Sequence, residues 1–94
     1  EVSSGKKPSL RTISILPELD LRGRDSEAAM MEADQYLDNA FLAGLREVSI
    51  IHGKGTGILR NAIHQMLRKH PHVKSFRLGK YGEGETGVTI VTIK

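Results

Sequence analysis

Apolar residues recur along this chain in two rhythms, and each change of rhythm marks an element. In PELDLRG, Leu19 and Leu21 alternate with Glu18, Asp20 and Arg22, the period of a half-buried strand, and Gly23 ends it. Asp20 and Arg22 are thereby predicted to project together from the face opposite the leucines. From Ser26 to Ala43 the spacing becomes three and four: Ala29, Ala33, Tyr36, Leu37, Ala40 and Phe41 share one side of a helix. Asp25 or Ser26 can cap its start, and Gly44 is placed to terminate it. The run EVSII that follows, bounded by turn residues, suits a strand buried on both faces.

A second helix is expected beyond a cluster of glycines. Leu59, Ala62, Ile63, Met66 and Leu67 make one apolar stripe, with Arg60, His64, Gln65 and Arg68 elsewhere on the circumference. Thr56 is the expected N-cap, and Pro71 stops the helix. VKSFRLGKY and GVTIVTIK read as two more strands joined by a flexible GEGET, the second carrying Val88, Ile90, Val91 and Ile93 as an interior strand. The order is βαβαββ, an α/β pattern. Right-handed crossovers should make the first three strands parallel, the last antiparallel, and place both helices on one face.

This order puts IIHGKGTGILR, residues 50–60, at the turn from a buried parallel strand into a helix, where open α/β sheets commonly bind ligands. Free backbone N–H groups and the positive end of the helix dipole suit such a turn to anions. Two phosphate motifs are excluded. A Walker A loop needs Ser or Thr directly after Gly-Lys, but Gly55 follows Lys54. A dinucleotide fingerprint needs G-x-G-x-x-G, whereas Gly53, Gly55 and Gly57 are spaced G-x-G-x-G, with no acid about 20 residues on. What remains is a phosphate of a larger polyanion, approached closely because glycines remove the side chains that would block it.

Charge sharpens this reading. The chain carries a net +3, but residues 25–52 hold six acids (Asp25, Glu27, Glu32, Asp34, Asp38, Glu47) against Arg46 alone. Residues 53–94 hold eight bases, Lys54, Arg60, Arg68, Lys69, Lys74, Arg77, Lys80 and Lys94, against Glu83 and Glu85. One half should repel polyanions and the other attract them. At 94 residues there is room for a single core. The absence of cysteine excludes disulfides and thiolate metal sites. No apolar stretch approaches the ~20 residues of a membrane span, so a cytoplasmic domain without membrane contact is expected. Residues 1–14, rich in Ser, Gly, Lys and Pro, read as a flexible linker, and 15–94 as the folded part of a longer protein.

LDLRG at 19–23 and IIHGKGTGILR at 50–60, separated by an acidic helix, together resemble the two signature motifs of the small MutS-related (Smr) domain. The resemblance runs from Pro17 to Lys94. The commonest form of the first motif has histidine where Arg22 stands; arginine there is usual in the C-terminal domain of the second bacterial type of MutS-like ATPase, the best match within the family. The resemblance implies a two-layer sandwich with a four-stranded mixed sheet, similar to the C-terminal domain of translation initiation factor three. It also implies nucleic-acid binding and, as in many members, endonuclease activity that nicks DNA or cuts RNA. Members act in recombination control, mRNA surveillance and at stalled ribosomes. The implied partners are DNA, branched DNA included, or RNA, the ribosome, and the remainder of a larger MutS-like chain.

Phosphodiester cleavage needs proton transfer and stabilisation of the growing phosphorane charge. His52, beside the glycine turn, is the candidate for proton transfer. Lys54 and the backbone N–H groups of Gly55 and Gly57 are candidates for holding the phosphoryl charge. Asp20 could orient His52 or hold a metal with a water, while Arg22 offers a planar fork for phosphate oxygens. Gly53, Thr56, Arg60 and Tyr81 complete the expected nucleic-acid contacts. A single confident carboxylate is thin for a two-metal site, so a divalent metal is compatible with the sequence but not required by it. His64, His70 and His72 read as surface residues without metal-ligand spacing. Two function classes follow: an endonuclease using His52, Lys54, Asp20 and Arg22, or a module that docks a larger protein onto branched DNA, RNA or the ribosome without cutting. A protein-interaction domain built on the acidic helix would leave the glycine turn unexplained.

Overall fold

The computed structural model describes residues 15–94, so the linker expected at 1–14 lies outside the described residues. Strand β1 (Glu18–Asp20) leads into helix α1 (Ser26–Leu42), then β2 (Glu47–Ile51), α2 (Ile58–Lys69), β3 (Val73–Leu78) and β4 (Val88–Ile93). The strands form one sheet in the order β1-β2-β4-β3. β2 runs parallel to β1, and β4 runs antiparallel to both β2 and β3, so the first three strands share a direction as the crossovers require.

Register explains which residues become core. Leu19 lies beside Ile50, Val48 beside Val91, and Ile50 beside Thr89, so these side chains share one face of the sheet. Both helices close that face. Ala29, Ala33, Leu37 and Ala40 from α1 and Ile63 and Leu67 from α2 join Leu21, Val48, Ile50, Val91 and Ile93 in one buried cluster. Three alanines among the four α1 contacts let its backbone approach the sheet closely, leaving Leu37 to fill the space. Each fully buried leucine or isoleucine contributes about 1.5–3 kcal/mol relative to exposure. β4 is the interior strand, with all but Thr92 buried, as its near-continuous apolar run predicts.

Helix termini follow the expected chemistry at one end and depart from it at another. Asp25 caps α1, its carboxylate accepting from Ala28 N at 2.8 Å, a bond worth about 1 kcal/mol. Thr56 is not the N-cap of α2. That position is Gly57, with φ +87°, and it offers no side-chain cap; the Thr56 hydroxyl reaches only Ile58 N, at 3.4 Å. The expected flexible loop before β4 is instead pinned. Glu83 accepts from Arg77 at 2.8 and 3.1 Å and from Lys80 N at 2.7 Å, and residues Glu85–Gly87 form a short 3-10 turn.

Candidate nucleic-acid interface

The glycine turn is held at its origin by the central strand. His52 N and Gly53 N both donate to the carbonyl of Gly87, at 3.1 and 2.9 Å, immediately before β4. Leu21 N donates to Ile51 O at 2.8 Å, which brings the end of β1 alongside. A Cβ built on Gly53 would lie 3.5 Å from Arg22 Cγ, so the segment carrying Asp20 and Arg22 borders the turn. The two motifs of the sequence, LDLRG at 19–23 and IIHGKGTGILR at 50–60, thus meet by sheet pairing.

His52 is buried, 5% exposed, and both of its ring nitrogens are occupied. Nδ1 lies 3.0 Å from the Gly53 carbonyl, which can only accept, so Nδ1 carries the proton of the neutral ring. Nε2 must then accept from the Thr89 hydroxyl at 2.8 Å. Thr89 Oγ1, having donated to His52, accepts from His64 Nε2 at 2.7 Å. A single direction of donation therefore runs from His64 through Thr89 and His52 to the turn. Burial pushes both imidazoles below the ordinary histidine pKa, with nearby cations adding to the effect. His64 is accordingly not a surface bystander; it is half-buried between His52 and Phe76.

Asp20 does not reach His52. Its carboxylate accepts from Arg22 Nε at 3.0 Å, Nη2 at 2.7 Å and the Arg22 backbone N at 3.0 Å. Arg22 holds Asp20 at about 2, so the group is ionised across the physiological range. The expected orientation of His52 by Asp20 is replaced by orientation through Gly53 and Thr89. Arg22's fork, offered to phosphate by the sequence, is here engaged by its own neighbour two residues back.

Cations surround the uncapped start of α2. Lys54 is exposed and pairs with Glu85 at 3.2 Å. Arg60 forms no ion pair among the described residues, and its guanidinium packs where a Cβ on Gly57 would meet it at 2.5 Å. Two shallow hollows of 390 and 360 Å³ share Gly53 in their walls. The first is flanked by Arg24 and Arg60, the second by Arg22 and Lys54. Gly55 and Thr56 are exposed, and a Cβ on Gly55 would meet nothing within 4 Å. Tyr81 is 95% exposed on the connection between β3 and β4.

Thr89, His64 and Glu85 escaped the sequence reading. Thr89 carried a signal: a threonine at an inward position of a buried strand needs a hydrogen-bond partner. His64 and Glu85 carried none, because their partners lie far along the chain. His70 and His72 also differ from expectation. His70 is buried, within 3.3 Å of Asp34 and Asp38, and His72 is half-buried and stacks on Phe41.

Among the described residues, no helix is long and apolar enough to cross a membrane. The family model described as Smr domain matches residues 19–94. A relative from Clostridium novyi, named endonuclease MutS2, is 61% identical over 89 residues, covering 95% of this chain and 11% of that protein. Its counterpart in Caldicellulosiruptor bescii is 63% identical over 76 residues, 81% of this chain and 10% of the relative. The chain therefore spans about a tenth of the length of these curated relatives. The crystal structure of the Smr domain of Thermus thermophilus MutS2 superposes with a TM-score of 0.80 at 45% identity, covering 82% of this chain and 96% of that one. YdaL, a stand-alone small MutS-related protein from Escherichia coli, gives 0.74 at 26% identity, covering 83% and 64%. Motif, fold and match all run from the first strand to the last, and the chain belongs to the Smr domain family.

Proposed function

We propose that this chain is the nucleic-acid-binding, nuclease-type domain of a larger MutS2-like protein, and that it docks a backbone phosphate on the glycine turn. The observation that carries the reading is the start of α2. It has no capping side chain and no acid in its first turn, and it is bordered by Lys54 and Arg60. Its free N–H groups and dipole favour an anion by roughly 0.3–1 kcal/mol when exposed, to which full charges add.

Cleavage is assigned to the Asp20–Arg22 pair beside the turn. A phosphate oxygen that takes Arg22's fork displaces Asp20, leaving an ionised carboxylate next to the scissile group. That carboxylate can accept a proton from an attacking water as the water oxygen bonds to phosphorus; Lys54 and the turn amides stabilise charge on the phosphorane, and the bond from phosphorus to the leaving sugar oxygen then breaks, that oxygen taking a proton from solvent. His52 holds the turn through Gly53 and Thr89, and its ring is the second proton-transfer group beside the phosphate once the Thr89 bond is released. The expected substrate is DNA that the domain nicks, in the setting of recombination control in the cytoplasm, with RNA as the competing substrate.

The test is incubation of the pure chain with supercoiled plasmid and with labelled RNA, each with and without EDTA. Nicking that disappears in Asp20→Asn and Lys54→Ala supports the assignment. A second reading, a docking module for branched DNA, RNA or the ribosome that does not cut, draws on one observation: both His52 nitrogens and the Asp20 carboxylate are engaged within the protein. Salt-sensitive binding to these nucleic acids without any cleavage would establish it.

A further inference from the structure

At the far end of α2 from the glycine turn, two carboxylates and a buried imidazole converge. Asp34 and Asp38 stand one turn apart on α1, so both project to the same side. His70, the C-cap residue of α2, turns its ring inward until the side chain is 1% exposed. Its Nε2 lies 3.2 Å from Asp34 Oδ1 and 3.3 Å from Asp38 Oδ1, yet makes no hydrogen bond of acceptable geometry to either. A buried nitrogen aimed between two carboxylates without bonding properly to either calls for another partner.

We propose that Asp34, Asp38 and His70 form a binding site for a transition-metal dication, zinc foremost, with solvent completing the coordination. The three donor atoms lie within 4.8 Å of one another. A tetrahedral zinc with bonds of about 2.0–2.1 Å separates its ligands by about 3.3 Å, which is the spacing from Nε2 to each carboxylate here. His72 Nε2 is 3.8 Å from Asp38 Oδ1, and its ring is oriented by stacking on Phe41 at 3.8 Å between centroids. The carboxylates are half exposed, which leaves an entry path. Imidazole selects zinc over magnesium and calcium, which take oxygen ligands.

Metal uptake has a defined proton balance. His72 N–H donates to His70 Nδ1 at 3.1 Å, so without metal the neutral ring carries its proton on Nε2. The metal takes the Nε2 lone pair, the proton passes through solvent to Nδ1, and the His72 N–H turns away. The site ties α1 to the α2–β3 connection. It is separated from the glycine turn by the 12 residues of α2, about 18 Å, and so serves stability rather than phosphate chemistry.

The experiment is titration of the EDTA-stripped chain with zinc by calorimetry, and with cobalt by visible absorption. One zinc per chain, tetrahedral cobalt bands and a rise in Tm are expected, with magnesium giving none of these. Asp34→Asn and Asp38→Asn, both at exposed carboxylates, should each weaken zinc about tenfold or more and abolish the Tm rise. Nitrogen NMR of the His70 ring should show its proton moving from Nε2 to Nδ1. No saturable binding, binding unchanged in Asp34→Asn and Asp38→Asn, equal binding of magnesium, or binding lost instead in Asp20→Asn would overturn the site.

Discussion

Thr89 shows how much one hydroxyl can organise. It bridges two imidazoles, and removing it leaves both ring nitrogens buried without partners. Thr89→Val keeps the shape of the side chain but should destabilise the fold by about 1–3 kcal/mol, read as a lower urea midpoint. A loss within ~0.5 kcal/mol, typical of a surface change, would mean the bridge is not structural. The two imidazoles also predict a pH dependence. Their folded pKa values lie below the unfolded ones, so the unfolded chain binds more protons. Stability from this source is complete above about pH 6.5 and declines as pH falls from there toward the depressed folded values. Urea titrations at successive pH values should show that decline, and it should be smaller in His64→Gln. The glycines of the turn separate in the same way. Gly57 sits at φ +87° against Arg60, whereas Gly55 has open space, so Gly57→Ala should cost about 1–3 kcal/mol and Gly55→Ala almost nothing.

Helix α2 concentrates the proposed function in its first turn, and its basic last turn, Arg68 and Lys69, complements the dipole at the other end. Binding of duplex DNA should therefore fall with salt by about 0.9 log unit per log unit of salt for each phosphate neutralised. Lys54→Ala and Arg60→Ala should each lower that slope by about 1, measured by fluorescence anisotropy at several salt concentrations, and affect all sequences alike. An unchanged slope in both variants would move the phosphate elsewhere. These elements were legible because their apolar spacing is local: the stripe from Leu59 to Leu67 and the alternation around Leu19 and Leu21 need no tertiary information. The N-cap was not, since Thr56 and Gly57 compete and only the closed turn decides between them. That Asp20 and Arg22 share a face was legible from strand alternation, but the choice of Arg22 over His52 as Asp20's partner, and of Thr89 as His52's, was not. Arg22 is a near neighbour that outcompeted a histidine across the sheet, and Thr89 lies 37 residues beyond the ring it bonds.

The molecule as a whole lays an acidic helix and a basic helix side by side on one face of a sheet. The charge asymmetry visible along the chain is thereby a division between neighbouring surfaces. Asp34→Ala should leave nucleic-acid affinity unchanged or raise it, and a clear loss in the same anisotropy assay would place the contact surface on α1 instead. The chain's broad organisation followed from order and handedness, but the insertion of β4 between β2 and β3 has a consequence of its own. The strand buried most completely begins next to Gly87, whose carbonyl holds the amides of His52 and Gly53. Those two amides should therefore exchange with deuterium almost as slowly as the strand itself, on openings that approach global unfolding. Gly55 and Thr56, exposed and a few residues on, should exchange orders of magnitude faster. The turn would then behave as a short span clamped at its root to the last part of the protein to open, free to fit a ligand in its middle while its base keeps station.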